Sequence, residues 1–128
     1  MKRVLILDND ADVLDVMKEA LTYEGFEARC FGDVNDVIAL ANDHNPDLFI
    51  IDYILNGVNG GELCHQIKSN KRTSNLPVIL VSAYPRVLKS LGDYGADDFI
   101  SKPFDLDDLL ERVSRLIDKR KDKNFHVV

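Results

Sequence analysis

Four-residue runs without a polar position recur along the chain, separated by segments whose apolar residues fall at helical spacing. Val4-Leu5-Ile6-Leu7, Leu48-Phe49-Ile50-Ile51 and Val78-Ile79-Leu80-Val81 are apolar on every residue, as expected of strands covered on both faces. Phe26 to Phe31 and Phe99-Ile100 supply two further candidate strands. Val13, Leu14, Met17, Ala20 and Leu21 repeat at helical intervals, and Gly25 ends that helix. Asp33 is placed to cap a helix carrying Val34, Val37, Ile38 and Ala41, which stops before Pro46. Asn56 to Gly61 is turn-rich and leads into a helix through Leu63, Cys64 and Ile67. A short helix is predicted from Pro85 to about Tyr94, with Val87, Leu88 and Leu91 inward. Asp105 caps a last helix whose buried stripe is Leu106, Leu109, Leu110, Val113, Leu116 and Ile117.

Strands alternating with helices predict an α/β fold with a parallel sheet covered on both sides. Right-handed crossovers then bring every strand's carboxyl end to one edge. At 128 residues the chain suffices for one domain and not for two. The net charge of -6 argues against a broad nucleic-acid or anionic-membrane surface. Cys30 and Cys64 form no CxxC pair and read as buried thiols in a reducing compartment. His44, His65 and His126 lack metal-ligand spacing. No apolar run approaches the ~20 residues of a membrane span, and the apolar amino-terminal run stops at Asp8, too early for a signal peptide. A cytoplasmic protein without membrane contact is expected. The charge run Lys119-Arg120-Lys121-Asp122-Lys123 marks 119–128 as a charged tail or linker stub behind a domain spanning 1–118.

In open α/β sheets, sites form outside the carboxyl ends of the strands. The residues just past the apolar runs are Asp8, Asn9 and Asp10, then Asp52, Ser82 and Lys102. A carboxylate can attack phosphorus to form an acyl phosphate. A hard cation held by few carboxylates and waters would neutralise the phosphoryl oxygens, and a hydroxyl and an ammonium complete the shell. Each residue also has a plainer reading. Asp10 could equally cap the following helix, a serine leaving a strand is commonplace, and Lys102 before Pro103 could be a solvated lysine.

Four blocks carry a resemblance. Val4-Leu5-Ile6-Leu7-Asp8-Asn9-Asp10, Asp52-Tyr53-Ile54-Leu55-Asn56-Gly57-Val58-Asn59-Gly60, Val81-Ser82-Ala83, and Gly95-Ala96-Asp97-Asp98-Phe99-Ile100-Ser101-Lys102-Pro103-Phe104 resemble the signature of bacterial response-regulator receiver domains, in order, to about residue 118. The resemblance implies a flavodoxin-like (βα)5 three-layer sandwich with strand order 2-1-3-4-5. It implies that Asp52 is the phosphoacceptor. Mg2+ (or Mn2+) would be held by Asp8, Asn9, Asp52 and the Ile54 carbonyl, while Ser82 and Lys102 contact the phosphoryl group. Ser82 and Phe99 would be switch residues, and the bond before Pro103 cis; Phe99 reads equally well as an ordinary aromatic of the last strand. Implied partners are a histidine kinase or histidine phosphotransfer protein and an unknown downstream protein or output domain. No direct nucleic-acid contact is expected, and the chain would be a monomer or weak dimer rather than a turnover enzyme.

Three departures stand out. Asn9 replaces the usual acidic metal ligand, Asn56 replaces a usual proline, and the segment from Ser82 to Lys102 is a couple of residues short, which predicts a short or shifted fourth helix. Two other readings stay open. One is a pseudo-receiver, used for interaction, with metal binding impaired by Asn9. The other is a phosphatase resembling the haloacid dehalogenases, with Asp8-Asn9-Asp10 as its DxD motif, which would leave Asp52 without a role. FMN binding, by contrast, wants a Ser/Thr/Gly-rich loop where this chain has acids.

Overall fold

A computed structural model describes residues 1–84, 86 and 94–125. The apolar runs become strands β1 (Arg3–Leu7), β2 (Glu27–Phe31), β3 (Leu48–Asp52), β4 (Val78–Ser82) and β5 (Asp98–Ser101). They form one parallel sheet in the order β2-β1-β3-β4-β5, the order that the resemblance implies. The described helices are α1 (Ala11–Tyr23), α2 (Val37–His44), α3 (Gly60–Ser69) and α4 (Leu106–Phe125).

Alternation along the strands divides the core into two layers. Leu5, Leu7, Phe49, Ile51, Val78 and Leu80 face Val37 and Ala41 of α2 and Leu63, Cys64 and Ile67 of α3. Val4, Ile6, Leu48, Ile50, Ile79, Val81 and Ile100 face Met17 and Leu21 of α1 and Leu109, Val113 and Ile117 of α4. Burial on both sides explains why Val4–Leu7 of β1, Leu48–Ile51 of β3 and Val78–Val81 of β4 carry no polar residue. Each such side chain contributes roughly 1.5–3 kcal/mol. This rigid sheet holds the loops at its carboxyl edge.

The helix starts show which acids serve the backbone. The Asp10 carboxylate accepts from the Asp12 and Val13 N–H groups and caps α1, so capping, one of the two roles open to it, is the one it takes. Asp10→Ala is expected to cost about 1 kcal/mol, read as a lower denaturant midpoint with an unchanged slope. Asp105 accepts from the N–H groups of Asp107 and Asp108, as expected of a cap. The expectation for α2 needs correction. Its cap is Asp36, which accepts from Ile38 and Ala39, and Val34 precedes the helix. Asp33 lies too far upstream for those orphan donors and binds Asn56 instead.

Cys64 is buried and Cys30 only half-buried, because Cys30 lies on β2 at the edge of the sheet; its thiol reaches the Leu14 carbonyl at 3.8 Å. The helix predicted from Pro85 to Tyr94, with Val87, Leu88 and Leu91, lies outside the described residues except at Arg86 and Tyr94, and His126 lies outside them too. Helix α4 runs on past residue 118 to Phe125. No described helix is long and apolar enough to cross a membrane.

Candidate functional site

Strand register assembles the site. β1 and β3 are neighbours with Leu7 beside Ile51, so Asp8 and Asp52 leave the sheet next to one another. Asp52 pairs with Val81 on β4, which puts Ser82 one position further out, and Ser82 pairs with Ser101 on β5. Lys102 follows, its N–H donating to the Ser82 carbonyl at 2.8 Å. The Lys102–Pro103 peptide is cis.

Lys102 joins the two acids. Its Nζ lies 2.9 Å from Asp8 Oδ2 and 3.3 Å from Asp52 Oδ2. Asp8 is 1% exposed, and its other oxygen accepts the Asp10 N–H at 2.9 Å. Burial, followed by the negative charge of Asp8, pushes the Asp52 carboxyl above its ordinary value, although Lys102 and the Ile54 N–H pull the other way. Burial alone would lower the Lys102 ammonium. The hydrogen bond to Asp8 and the charges of both acids outweigh it and hold Lys102 above the usual lysine value. A half-buried carboxylate with raised affinity for protons is also short of positive charge, the condition in which a cation is welcome.

The other predicted residues take different places. Ser82 is buried, and its hydroxyl oxygen accepts the Tyr84 N–H at 2.9 Å. Phe99 is half-buried and packs at the margin of the core layer under α2 and α3. Asn9 is exposed and donates through Nδ2 to Asn56 Oδ1 at 3.1 Å.

The segment after Asp52 holds an unforeseen ribbon. Ile54–Leu55 pairs antiparallel with Val58–Asn59, joined through Asn56 at φ 39° and Gly57 at φ 83°. Positive φ at both central residues is the requirement of a type I′ hairpin, which Asn-Gly meets at least cost. The Asn-Gly pair between short apolar runs was the signal for it. Gly60 was also missed. A Cβ there would lie 1.9 Å from the Asp52 carbonyl oxygen, so α3 packs closely behind the acid only because position 60 is glycine. Asn59 caps α3, accepting from Gly61 and Glu62.

The donor set around Asp52 fits a hard cation. Asp8 and Asp52 offer carboxylate oxygens, gathered about the same Lys102 ammonium. Among the described residues no group of three or more His, Cys, Asp or Glu side chains could hold a metal. An oxygen-only site with two carboxylates suits a small ion that keeps several waters, as Mg2+ does, and not zinc.

Residues 4–114 match the family model for the response regulator receiver domain. The chain is 33% identical over 119 residues to the DNA-binding dual master transcriptional regulator RpaA of Synechocystis sp., covering 91% of this chain and 49% of that protein. It thus spans about half the length of that relative, whose DNA-binding name leaves the expectation of no nucleic-acid contact unsupported. Among solved structures, a CheY-like receiver domain protein from Methanospirillum hungatei matches with a TM-score of 0.84 at 29% identity, covering 96% of this chain and 98% of that one. The response regulator TrrA from Thermotoga maritima, solved in complex with Mg(2+)-BeF, matches with a TM-score of 0.81 at 30% identity over 91% and 99% of the two chains. With the sheet order, the edge-on acids and the family match in agreement, this chain belongs to the response regulator receiver domains of two-component signalling systems.

Proposed function

We propose that Asp52 is the phosphoacceptor, taking its phosphoryl group from a phosphohistidine of a histidine kinase or histidine phosphotransfer protein. An Asp52 carboxylate oxygen forms a bond to phosphorus as the P–N bond breaks. The imidazole leaves with the bonding pair and takes up a proton. One observation carries this reading: a single ammonium, Lys102 Nζ, lies within hydrogen-bond distance of both Asp8 and Asp52. In that position Lys102 can leave Asp8 and pair with an incoming phosphoryl oxygen, and Ser82, whose oxygen accepts the Tyr84 N–H, keeps its own O–H to donate to the same group.

Asp8, Asp52, the Asn9 amide oxygen and the Ile54 carbonyl are the groups that would hold Mg2+ (or Mn2+). When bound, the ion would supply charge neutralisation for the phosphoryl oxygens. Phosphorylation adds ≈ -1.5 to -2 charge, drawing Ser82 and Lys102 inward and, through Phe99, biasing the face around β5 and α4. Helix α4 carries the receiver unit past residue 118, where Arg120 pairs with Asp47 at 3.2 Å, so the charge run begins inside the domain and not as a separate tail. The module promotes its own phosphorylation and dephosphorylation without turning over a separate substrate. Its effect passes to a downstream protein or output domain, in RpaA-like company one that binds DNA. The phosphatase reading loses its DxD acid, since Asp10 is engaged in capping.

The test is intact-mass spectrometry after a small acyl phosphate donor, with and without Mg2+. One Mg2+-dependent phosphoryl adduct on Asp52 is expected; an adduct at another residue, or none, removes the assignment. Asn9→Asp restores a negative charge beside Asp8 and is expected to tighten Mg2+ binding about ten-fold. Wild-type protein that ignores millimolar Mg2+ while the variant binds it would establish the pseudo-receiver reading.

A further inference from the structure

Three exposed side chains from three loops form an unbroken line beside the site. Asn56 Nδ2 donates to Asp33 Oδ1 at 2.8 Å and, more weakly, to the Gly32 carbonyl at 3.4 Å. Asn56 Oδ1 accepts from Asn9 Nδ2 at 3.1 Å. Asp33 follows β2, Asn9 follows β1 and Asn56 is the hairpin tip after β3, so the line ties together the loops of three adjacent strands.

The direction of this line is fixed from one end. An asparagine amide has a donor end and an acceptor end and can be flipped, whereas an ionised carboxylate only accepts. Asp33 therefore turns the amino group of Asn56 toward itself and its oxygen toward Asn9. Asn9 must answer with its amino group, which leaves the Asn9 carbonyl oxygen as the end available to a cation. Without that ordering, the Asn9 amide is free to turn its N–H pair, which repels a cation, in place of its oxygen. Two of the three departures from the family pattern, Asn9 and Asn56, take part.

We propose that Asp33 and Asn56 are positioning residues that order the Asn9 amide, so that an amide in place of the usual acid still presents oxygen to the divalent cation. The inference rests on the reading of Asp52 as a cation-dependent phosphoacceptor. Neither Asp33 nor Asn56 touches the ion.

The experiment is titration of the full chain with Mg2+ alone, followed through the backbone amide resonances of Asp52 and Ile54. Wild type, Asp33→Ala, Asn56→Ala and the double variant are compared. All three relay residues are exposed, and a single cooperative thermal transition confirms folding, its midpoint lowered in Asn56→Ala by the positive φ at that position. Removing one ordering hydrogen bond is expected to weaken Mg2+ binding about five-fold in Asp33→Ala and in Asn56→Ala alike. In the Asn56→Ala background, Asp33→Ala should then change it by less than about two-fold. An equal factor in both backgrounds would show that Asp33 acts only through its charge, which overturns the relay while leaving the site assignment intact. Wild-type protein that shows no Mg2+-dependent shift at Asp52 refutes both the assignment and the relay.

Discussion

Asp52→Asn is expected to lose phosphoryl labelling entirely while folding more stably than the wild type. The first result follows because an amide nitrogen or oxygen cannot form the acyl phosphate. The second follows because burial and the neighbouring Asp8 raise the Asp52 carboxyl above its ordinary 3.8, so ionising it costs more in the folded chain than in the unfolded one. A group of this kind favours the fold fully below its unfolded value, and that favour is lost as pH rises through the raised folded value. The variant's advantage should therefore be absent below pH 3.8, grow as pH rises, and level off at neutrality. Chemical denaturation of both proteins from acid to neutral pH checks this. Equal stabilities throughout would mean that Lys102 already offsets the repulsion, and label retained in the variant would mean that the acceptor lies elsewhere.

Lys102→Met is expected to destabilise the apo protein by about 3 kcal/mol. The methionine keeps the apolar stem and removes the ammonium, leaving Asp8 and Asp52 facing one another. Their side chains are only 2% and 12% exposed, and leaving a buried charge without its partner is costly. Lys102 itself has a raised pKa, so its contribution in the wild type is complete below the ordinary 10.5 and is lost only as pH rises through the folded value. The gap between wild type and variant should thus persist across neutral pH and narrow in strong alkali. Because Mg2+ can replace the missing positive charge, thermal stability of the variant should rise more steeply with Mg2+ than that of the wild type. Thermal melts over a Mg2+ series decide it. A flat response would show that the two carboxylates do not share a cation.

Much of the site was legible because the strands declare themselves. Runs such as Leu48 to Ile51 are apolar throughout, so their ends are sharp, and Asp8, Asp52 and Ser82 could be identified as the first polar residues at one edge, with Lys102 two positions past Ile100. The hairpin after Asp52 was less visible, since Ile54-Leu55 and Val58-Asn59 are too short for periodicity to register. Which acid caps which helix was only half legible. Asp10 and Asp105 cap as their spacing suggests, whereas Asp33 and Asp36 both precede α2 and only the actual start of the helix chooses between them.

Hydrophobic patterning along this chain determined the α/β class, the strands and the edge on which the polar residues gather, because burial on one or both faces imposes a local period that needs no knowledge of neighbours. Tertiary structure alone decided that Lys102 bridges Asp8, 94 residues away in sequence, that Asp10 serves the backbone, and that Asn9 is oriented by Asn56 and Asp33. A polar side chain bonds whichever partner folding brings within about 3 Å, and that choice is written in three-dimensional proximity rather than in spacing along the chain.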